Sequence, residues 1–430
     1  MHLPSLDRWR AFGSARYRPF QAIAIGQAFT SSFASDALFV PLLLRLGAPP
    51  ALVMLVGTIP VGAPIVQAVL PQLLLRIKGN LRALTLLLAV MELRGFLHAA
   101  IVAAIAAGLI DARAGIVLVS LVVAIAQTGG VLSASNISLW TAVILSDPER
   151  RLVGPRMGAL TMALSTVLLL PAGSVLDEAL RAVGLWAYAA FFLVGGVASV
   201  LTIRGVTRLP RPGRVLVRTG DQTSAPLPES FRRFTGAVAI ASAGQGLLPY
   251  AALYAIDILG ASPGFAVVLS GASSAGALVG SLAAGSFLLH GSSSRLFRAT
   301  LHLRAVAALI VAAAFPGNPI ALPQMLVGIA LLWGGGNAGV LASNERLFRL
   351  APPELRVHCQ SHYVAVTSAA VTAGACVCTT SLLLVGPVGW GIYTALYAGA
   401  GLFRLVAGLR MEVSPTWRSP TAPAEEEIPV

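Results

Sequence analysis

Lysine is almost missing from these 430 residues: of 30 basic side chains, only Lys78 is not an arginine. Charge of either sign is scarce, at 11% of the chain, where a soluble protein carries about 25%. That deficit excludes an ordinary soluble fold. Cysteine is scarce too. Cys359, Cys376 and Cys378 suggest neither a disulfide framework nor a metal site, and residues two apart on a helix point to different faces. No Walker phosphate loop occurs, which removes ATP-driven chemistry. The few histidines are scattered, and no cluster of acids, histidines and nucleophiles marks an enzyme.

What fills the chain is apolar: 56% of residues are hydrophobic and the mean hydropathy is +0.81. Crossing about 30 Å of hydrocarbon takes roughly 20 apolar residues in a helix, because no water is present to satisfy an open backbone. Runs of that kind fall near 20–44, 51–75, 83–108, 115–144, 157–176, 184–203, 234–257, 264–289, 299–316, 323–343, 361–385 and 389–410. They predict an all-α integral membrane protein of twelve crossings, numbered here as spans 1 to 12. Turn chemistry punctuates them, as at Gly47-Ala-Pro-Pro50, Lys78-Gly-Asn80 and Pro316-Gly-Asn-Pro319.

The formal charge of +13 does not point to nucleic acid. Of the 30 basic residues, 25 lie in or beside alternate hinges, from Arg8–Arg18 to Arg404–Arg418. The opposite hinges hold Arg45, Arg113 and Arg181. Under the positive-inside rule this places both termini in the cytoplasm and the chain in the plasma (inner) membrane, with lipid headgroups as contacts. The N-terminus shows no separate signal peptide, and the first span is expected to serve as signal and crossing together.

Residues 204–233, rich in arginine and proline, form the one long internal linker. They divide the chain into six-span halves, 1–203 and 234–412, with 413–430 a disordered tail. The halves look like copies. Leu46-Gly-Ala-Pro-Pro50 resembles Leu259-Gly-Ala-Ser-Pro263, Arg82 matches Arg295, Glu92-Leu-Arg94 matches His302-Leu-Arg304, and Pro148-Glu-Arg-Arg151 matches Pro353-Glu-Leu-Arg356. Both halves start on the same side, as parallel repeats do.

These features resemble the major facilitator superfamily of secondary transporters. The stretch Gln72-Leu-Leu-Leu-Arg76-Ile-Lys78-Gly79-Asn80-Leu-Arg82 keeps the glycine and basic residues of that family's span 2–3 hinge, without its acid. The resemblance implies two pseudo-symmetric six-helix bundles, alternating access, and a substrate cavity between spans 1, 4, 7 and 10. The polar residues of those spans are then cavity candidates: Gln27, Ser31, Ser35 and Asp36; Ser133, Asn136 and Trp140; Gln245, Tyr250 and Tyr254; Trp333 and Asn337. Facing lipid they would be costly, so they face protein or water. The competing reading is helix–helix hydrogen bonding.

Asp36, Glu92, Arg94 and Arg304 make a candidate coupling and charge network. A carboxylate at depth costs about 3 kcal/mol on insertion scales. Asp36 therefore reads as a proton-coupling or substrate-binding group, an acid in a wet outer vestibule, or a structural hydrogen bond. The recurring Leu-Arg of spans 3 and 9 reads equally as an inherited tie between helices. Arg76, Arg82, Arg151, Arg295 and Arg356 are candidates for a cytoplasmic gate. The expected function is a proton-coupled transporter of a small organic solute, with efflux favoured by the aromatic lining. It is expected to act as a monomer without cofactor, metal or nucleic acid. Lack of a cation on spans 1, 4, 7 and 10 argues against phosphorylated or dicarboxylate substrates. A polytopic membrane enzyme, a lipid-handling protein and a facilitator-fold sensor are the alternatives.

Overall fold

The computed structural model describes residues 12–34, 36–69, 81–210, 227–248, 250–290, 292–351, 355–385 and 390–413, and among these every regular element is a helix. The first half holds α1 (Arg18–Phe33), α2 (Asp36–Arg45), α3 (Pro50–Gly62), α4 (Leu81–Val90), α5 (Arg94–Ala106), α6 (Ala112–Val122), α7 (Thr128–Ile144), α8 (Asp147–Val183) and α9 (Trp186–Arg208). The second holds α10 (Glu229–Gly246), α11 (Ala251–Asp257), α12 (Pro263–His290), α13 (Ser293–Ala312), α14 (Ala321–Leu350), α15 (Arg356–Val385) and α16 (Gly391–Val413). Nine helical stretches among the described residues are long and apolar enough to cross a bilayer, and Pro50–Val66 and Arg94–Ala106 are shorter apolar ones. Large apolar side chains such as Leu87, Val167, Val279 and Leu384 stand exposed on the surface. Water would penalise that surface and lipid accepts it. The chain is an integral membrane protein.

Two of the repeated sequence landmarks recur in the structure, whereas Pro353 and Glu354 of a third lie outside the described residues. Gly47 (φ 89°) and Gly260 (φ 67°) both adopt the left-handed conformation that closes a helix, and Pro50 and Pro263 then open α3 and α12. Arg82 and Arg295 occupy the second and third positions of α4 and α13. The opening span of each half is also broken at the matching place: α1 stops at Phe33 before α2, and α10 stops at Gly246 before α11.

Packing is tightest where small residues let backbones meet. A Cβ on Gly276 would collide with the Ala330 carbonyl, and one on Gly280 with that of Gly334, so α12 and α14 cross with their backbones in contact. The halves join through α8 against α12 and α3 against α15. At one end of the helices a single buried core contains Phe39, Met54 and Leu176 together with Leu253, Tyr254 and Leu269, so the halves share it. At the other end the cores are separate. Tyr17, Phe20, Trp140 and Val206 belong to the first half, and Phe231, Phe234, Phe297 and Met411 to the second. Outside those cores the halves meet where the Arg150 guanidinium of α8 lies 4.7 Å over the Phe348 ring of α14. Both described chain ends lie at this end, since Phe12 belongs to one core and Met411 to the other.

Gly276→Val should therefore abolish recovery of folded protein or sharply lower its thermal midpoint in detergent. Gly236→Ala, where an added Cβ meets nothing within 4 Å, should be neutral or slightly stabilising, because alanine is the better helix residue by about 0.5–1 kcal/mol. Equal midpoints for both variants would contradict the packing described.

Candidate functional site

Between the halves, at mid-depth, lies a cavity of about 240 Å³. Its walls come from both halves: Met54, Gly57 and Thr58 of α3 face Gln245, Tyr250, Ser270, Trp333, Val371 and Tyr397. The position of Tyr250 follows from local packing. Its ring sits edge-on to Phe39 at 6.1 Å, its backbone N–H donates to the Met54 sulfur at 3.5 Å, and Gly57 leaves room for its phenol. Trp333 is 50% exposed, which suits a ring standing in the cavity wall.

Of the cavity candidates, the structure brings Gln245, Tyr250 and Trp333 to this lining. The others stand elsewhere. Trp140 is fully buried in the first-half core and donates its indole N–H to the Pro210 carbonyl at 3.1 Å. Tyr254 is fully buried in the shared core, stacks on Tyr393 at 4.9 Å and donates to the Ala314 carbonyl. Asn337 ties α14 to α12, donating to the Ala277 carbonyl at 3.1 Å and to the Ser281 hydroxyl. Ser31 lies 3.4 Å from the Ser165 hydroxyl of α8. Gln27 is half-buried in α1, and Ser133 and Asn136 are buried in α7. Ser35 lies outside the described residues. Among the described residues the lining comes from spans 2, 7, 8, 10, 11 and 12.

Beside the cavity stands a group the sequence reading did not assemble. The Gln245 side-chain oxygen accepts from Arg304 of α13 and from Arg404 of α16, the latter at 3.0 Å. Arg404 also donates to the Ala400 carbonyl at 3.1 Å and is fully buried. Position had placed it with the basic hinges; it lies instead in the middle of α16, inside the bundle. The Nε atoms of both arginines are buried without a partner, and neither guanidinium has a carboxylate partner among the described residues. Two nitrogens bonded to one oxygen lie within about 6 Å of each other. At an effective dielectric near 20, two unit charges at that distance repel by about 3 kcal/mol. The argument against anionic solutes, drawn from spans 1, 4, 7 and 10 alone, loses its basis once spans 9 and 12 deliver two cations to span 7.

The first half concentrates irregular backbone. Span 1 breaks at Ala34, span 3 tightens into a 3₁₀ turn at Met91–Leu93, and span 4 widens into a π-helix at Val123–Gln127. The last two pack together, and π-bulges inside helices are frequent at functional sites. Arg94, buried at the start of α5, donates its Nε to the Ala34 carbonyl at 2.8 Å and so ties span 3 to the break in span 1. Asp36 opens α2 just past that break, and Glu92 lies in the 3₁₀ turn beside Arg94.

Of the gate candidates, Arg82 donates to the Thr207 carbonyl at 2.7 Å near the end of α9, and Arg295 is exposed. Arg151 and Arg356 lie in α8 and α15, and Arg76 falls outside the described residues. At the same end Ser146 and Glu149 form a capping box for α8, and Glu149 pairs with Arg16 at 2.5 Å. The Ser146 backbone N–H and hydroxyl, with the Arg16 charge, hold the Glu149 carboxyl below its usual range. Its stabilising contribution is complete above the ordinary carboxylate range and is lost as pH falls through the lowered value. At the opposite end Asp177 of α8 accepts from the Ser262 hydroxyl at 2.7 Å and the Gly264 N–H at 2.8 Å. That carboxylate caps α12 across the boundary between the halves. Sequence reading passed over it because its partners lie 85 and 87 residues away.

His358 and His362, one turn apart on α15, have the spacing of a ligand pair, yet the described residues contain no group of three metal-ligating side chains. The His362 ring instead lies 6.2 Å from Phe231.

No protein-family model and no curated protein matches the chain. Solved structures do. A D-xylose–proton symporter aligns over 90% of this chain and 95% of its own, at 13% identity and a TM-score of 0.64. The nucleoside transporter NupG aligns over 91% and 97%, at 10% identity and 0.63. A bacterial homologue of the iron transporter ferroportin, in an outward-facing state, aligns over 93% and 100%, at 14% identity and 0.60. The chain has the fold of the major facilitator transporters. Its structural neighbours are transporters rather than enzymes.

If Asp177 is the latch described, Asp177→Ala should speed deuterium exchange of the first-turn amides of α12 by about tenfold, the effect of losing a hydrogen bond of about 1–1.5 kcal/mol. Unchanged exchange at the amides of 264–266 would show that the Asp177 cap carries no load.

Proposed function

We propose that this chain is a secondary active transporter that moves a small amphipathic organic solute by alternating access. The observation that carries the reading is the mid-depth cavity walled by both halves, which share a core at one end and keep separate cores at the other. Such halves can rock about a central site. The arginine bias puts the separate cores, both termini and the linker 204–233 on the cytoplasmic side of the plasma (inner) membrane. The shared core and the Asp177 cap of α12 then close the outer side. The moving bodies are the six-crossing bundles 1–203 and 234–412.

Coupling to protons is assigned to the first half. Asp36 stands at the break in span 1 and Glu92 at the turn in span 3, and Arg94 ties that turn to the break through the Ala34 carbonyl. Broken crossing helices are where transporters of this type place ion and substrate groups. The apolar, aromatic lining favours export over uptake.

Purified protein in sealed vesicles, screened against a panel of amphipathic organic compounds with and without a pH gradient, tests the reading. Gradient-driven accumulation of at least one compound is expected. Asp36→Asn should abolish that accumulation while leaving downhill exchange partly intact, because the amide keeps shape and hydrogen bonding but carries no exchangeable proton. Loss of substrate binding itself would reassign Asp36 to a cationic ligand. Full retention of both activities would move coupling to Glu92.

A further inference from the structure

Arg304 and Arg404 are costly where they stand. A guanidinium stays charged under all ordinary conditions, and burying a charge is tolerated when it is paired. Here a fully buried cation, Arg404, and a half-buried one, Arg304, share one neutral oxygen, that of Gln245. A single amide dipole is a poor counterweight to two charges, and the Nε of each is left without an acceptor.

The pair also borders the cavity. Gln245 lines it, and so does Tyr397, which lies two turns before Arg404 on the same face of α16. On the other side the glycine run after Trp333 rests directly on Arg304. A Cβ at Gly335 would stand 2.7 Å from the Arg304 Cγ, and one at Gly336 would stand 3.7 Å from the guanidinium carbon. No side chain of that run separates the guanidinium from the wall that Trp333 occupies. Arg304 and Arg404 sit near the middle of α13 and α16, and Gln245 at the end of α10, where the span breaks; such transporters hold their solutes at mid-depth beside broken helices.

We propose that Arg304 and Arg404, with Gln245, form the anion-binding part of the transport site and take the carboxylate of an amphipathic organic acid. Its apolar body would lie in the cavity against Tyr250 and Trp333. A carboxylate offers two charged oxygens to two guanidiniums and satisfies donors that one amide oxygen cannot. The assignment rests on the transport reading for its purpose, but binding can be measured without any transport.

The test uses the full chain in detergent, with benzoate and octanoate as probes, benzamide as the neutral isostere of benzoate, and chloride as a small inorganic anion. Calorimetric titration and the thermal unfolding midpoint provide the readouts. Benzoate or octanoate should bind and raise the midpoint, while benzamide at the same concentration should not. Gln245→Glu supplies a built-in carboxylate of the same shape. It should raise the midpoint of the unliganded protein and weaken binding of the organic anions by about tenfold or more. Arg404→Gln should weaken binding similarly. Should that variant fail to fold, Gln245→Glu still decides the matter. Equal binding of benzamide and benzoate, undiminished benzoate affinity in Gln245→Glu, or binding of chloride alone would each overturn the proposal. Gradient-driven uptake of some solute by a protein that binds neither organic anion would overturn this site and leave the transport reading standing. Anion binding without any uptake would do the reverse.

Discussion

Hydrocarbon offers no hydrogen bonds, and nearly every feature of this molecule follows from that. A crossing helix must satisfy its own backbone, and wherever it breaks, a neighbour has to supply the missing partner. The break in span 1 shows how this is met. The Ala34 carbonyl receives the Arg94 Nε from span 3, and the Ala34 N–H still reaches the Thr30 carbonyl. The break is thus held rather than loose. It also explains why an arginine is worth burying in the first half: the guanidinium works as a backbone partner that water cannot be.

The same constraint makes the charge distribution informative. The first half carries the acids Asp36 and Glu92 in sequence at its helix irregularities, and its Arg94 bonds the Ala34 carbonyl there. The second half carries Arg304 and Arg404 with only Gln245 between them. The repeat explains how Leu-Arg came to stand in both halves, and the fate of each copy shows how the halves diverged. Arg94 bonds a carbonyl, whereas Arg304 joins a second arginine.

The ends of the molecule use cheaper devices. Exposed pairs such as Arg233 with Glu229 are worth little, so closure at the latch end falls to packing and to one well-aligned carboxylate, Asp177. A helix cap across two bundles suits a contact that must form and release. Its bonds are short and directional, and water can replace them when the bundles part.

Much of this was legible in the chain itself. The apolar runs, the arginine-marked hinges and the paired landmarks around Gly47 and Gly260 placed the helices and the repeat, because span length, charge side and turn chemistry are local properties. The site was legible only in part. Gln245, Tyr250 and Trp333 could be picked out as polar or aromatic residues in the right spans, but Trp140, Tyr254 and Asn337 have the same sequence character and turn out to brace the bundle. Which polar side chain faces a cavity depends on helix rotation and on what its neighbours offer. Arg404 reads as one more hinge arginine until α16 is laid against α10 and α13. Asp177 reads as a surface acid until the other half brings Ser262 and Gly264 to it. The sequence by itself determined how many residues could lie in lipid and where the chain must turn, since each depends on adjacent residues alone. Only the tertiary structure decided which charges meet, because that contact is made between helices far apart in the chain.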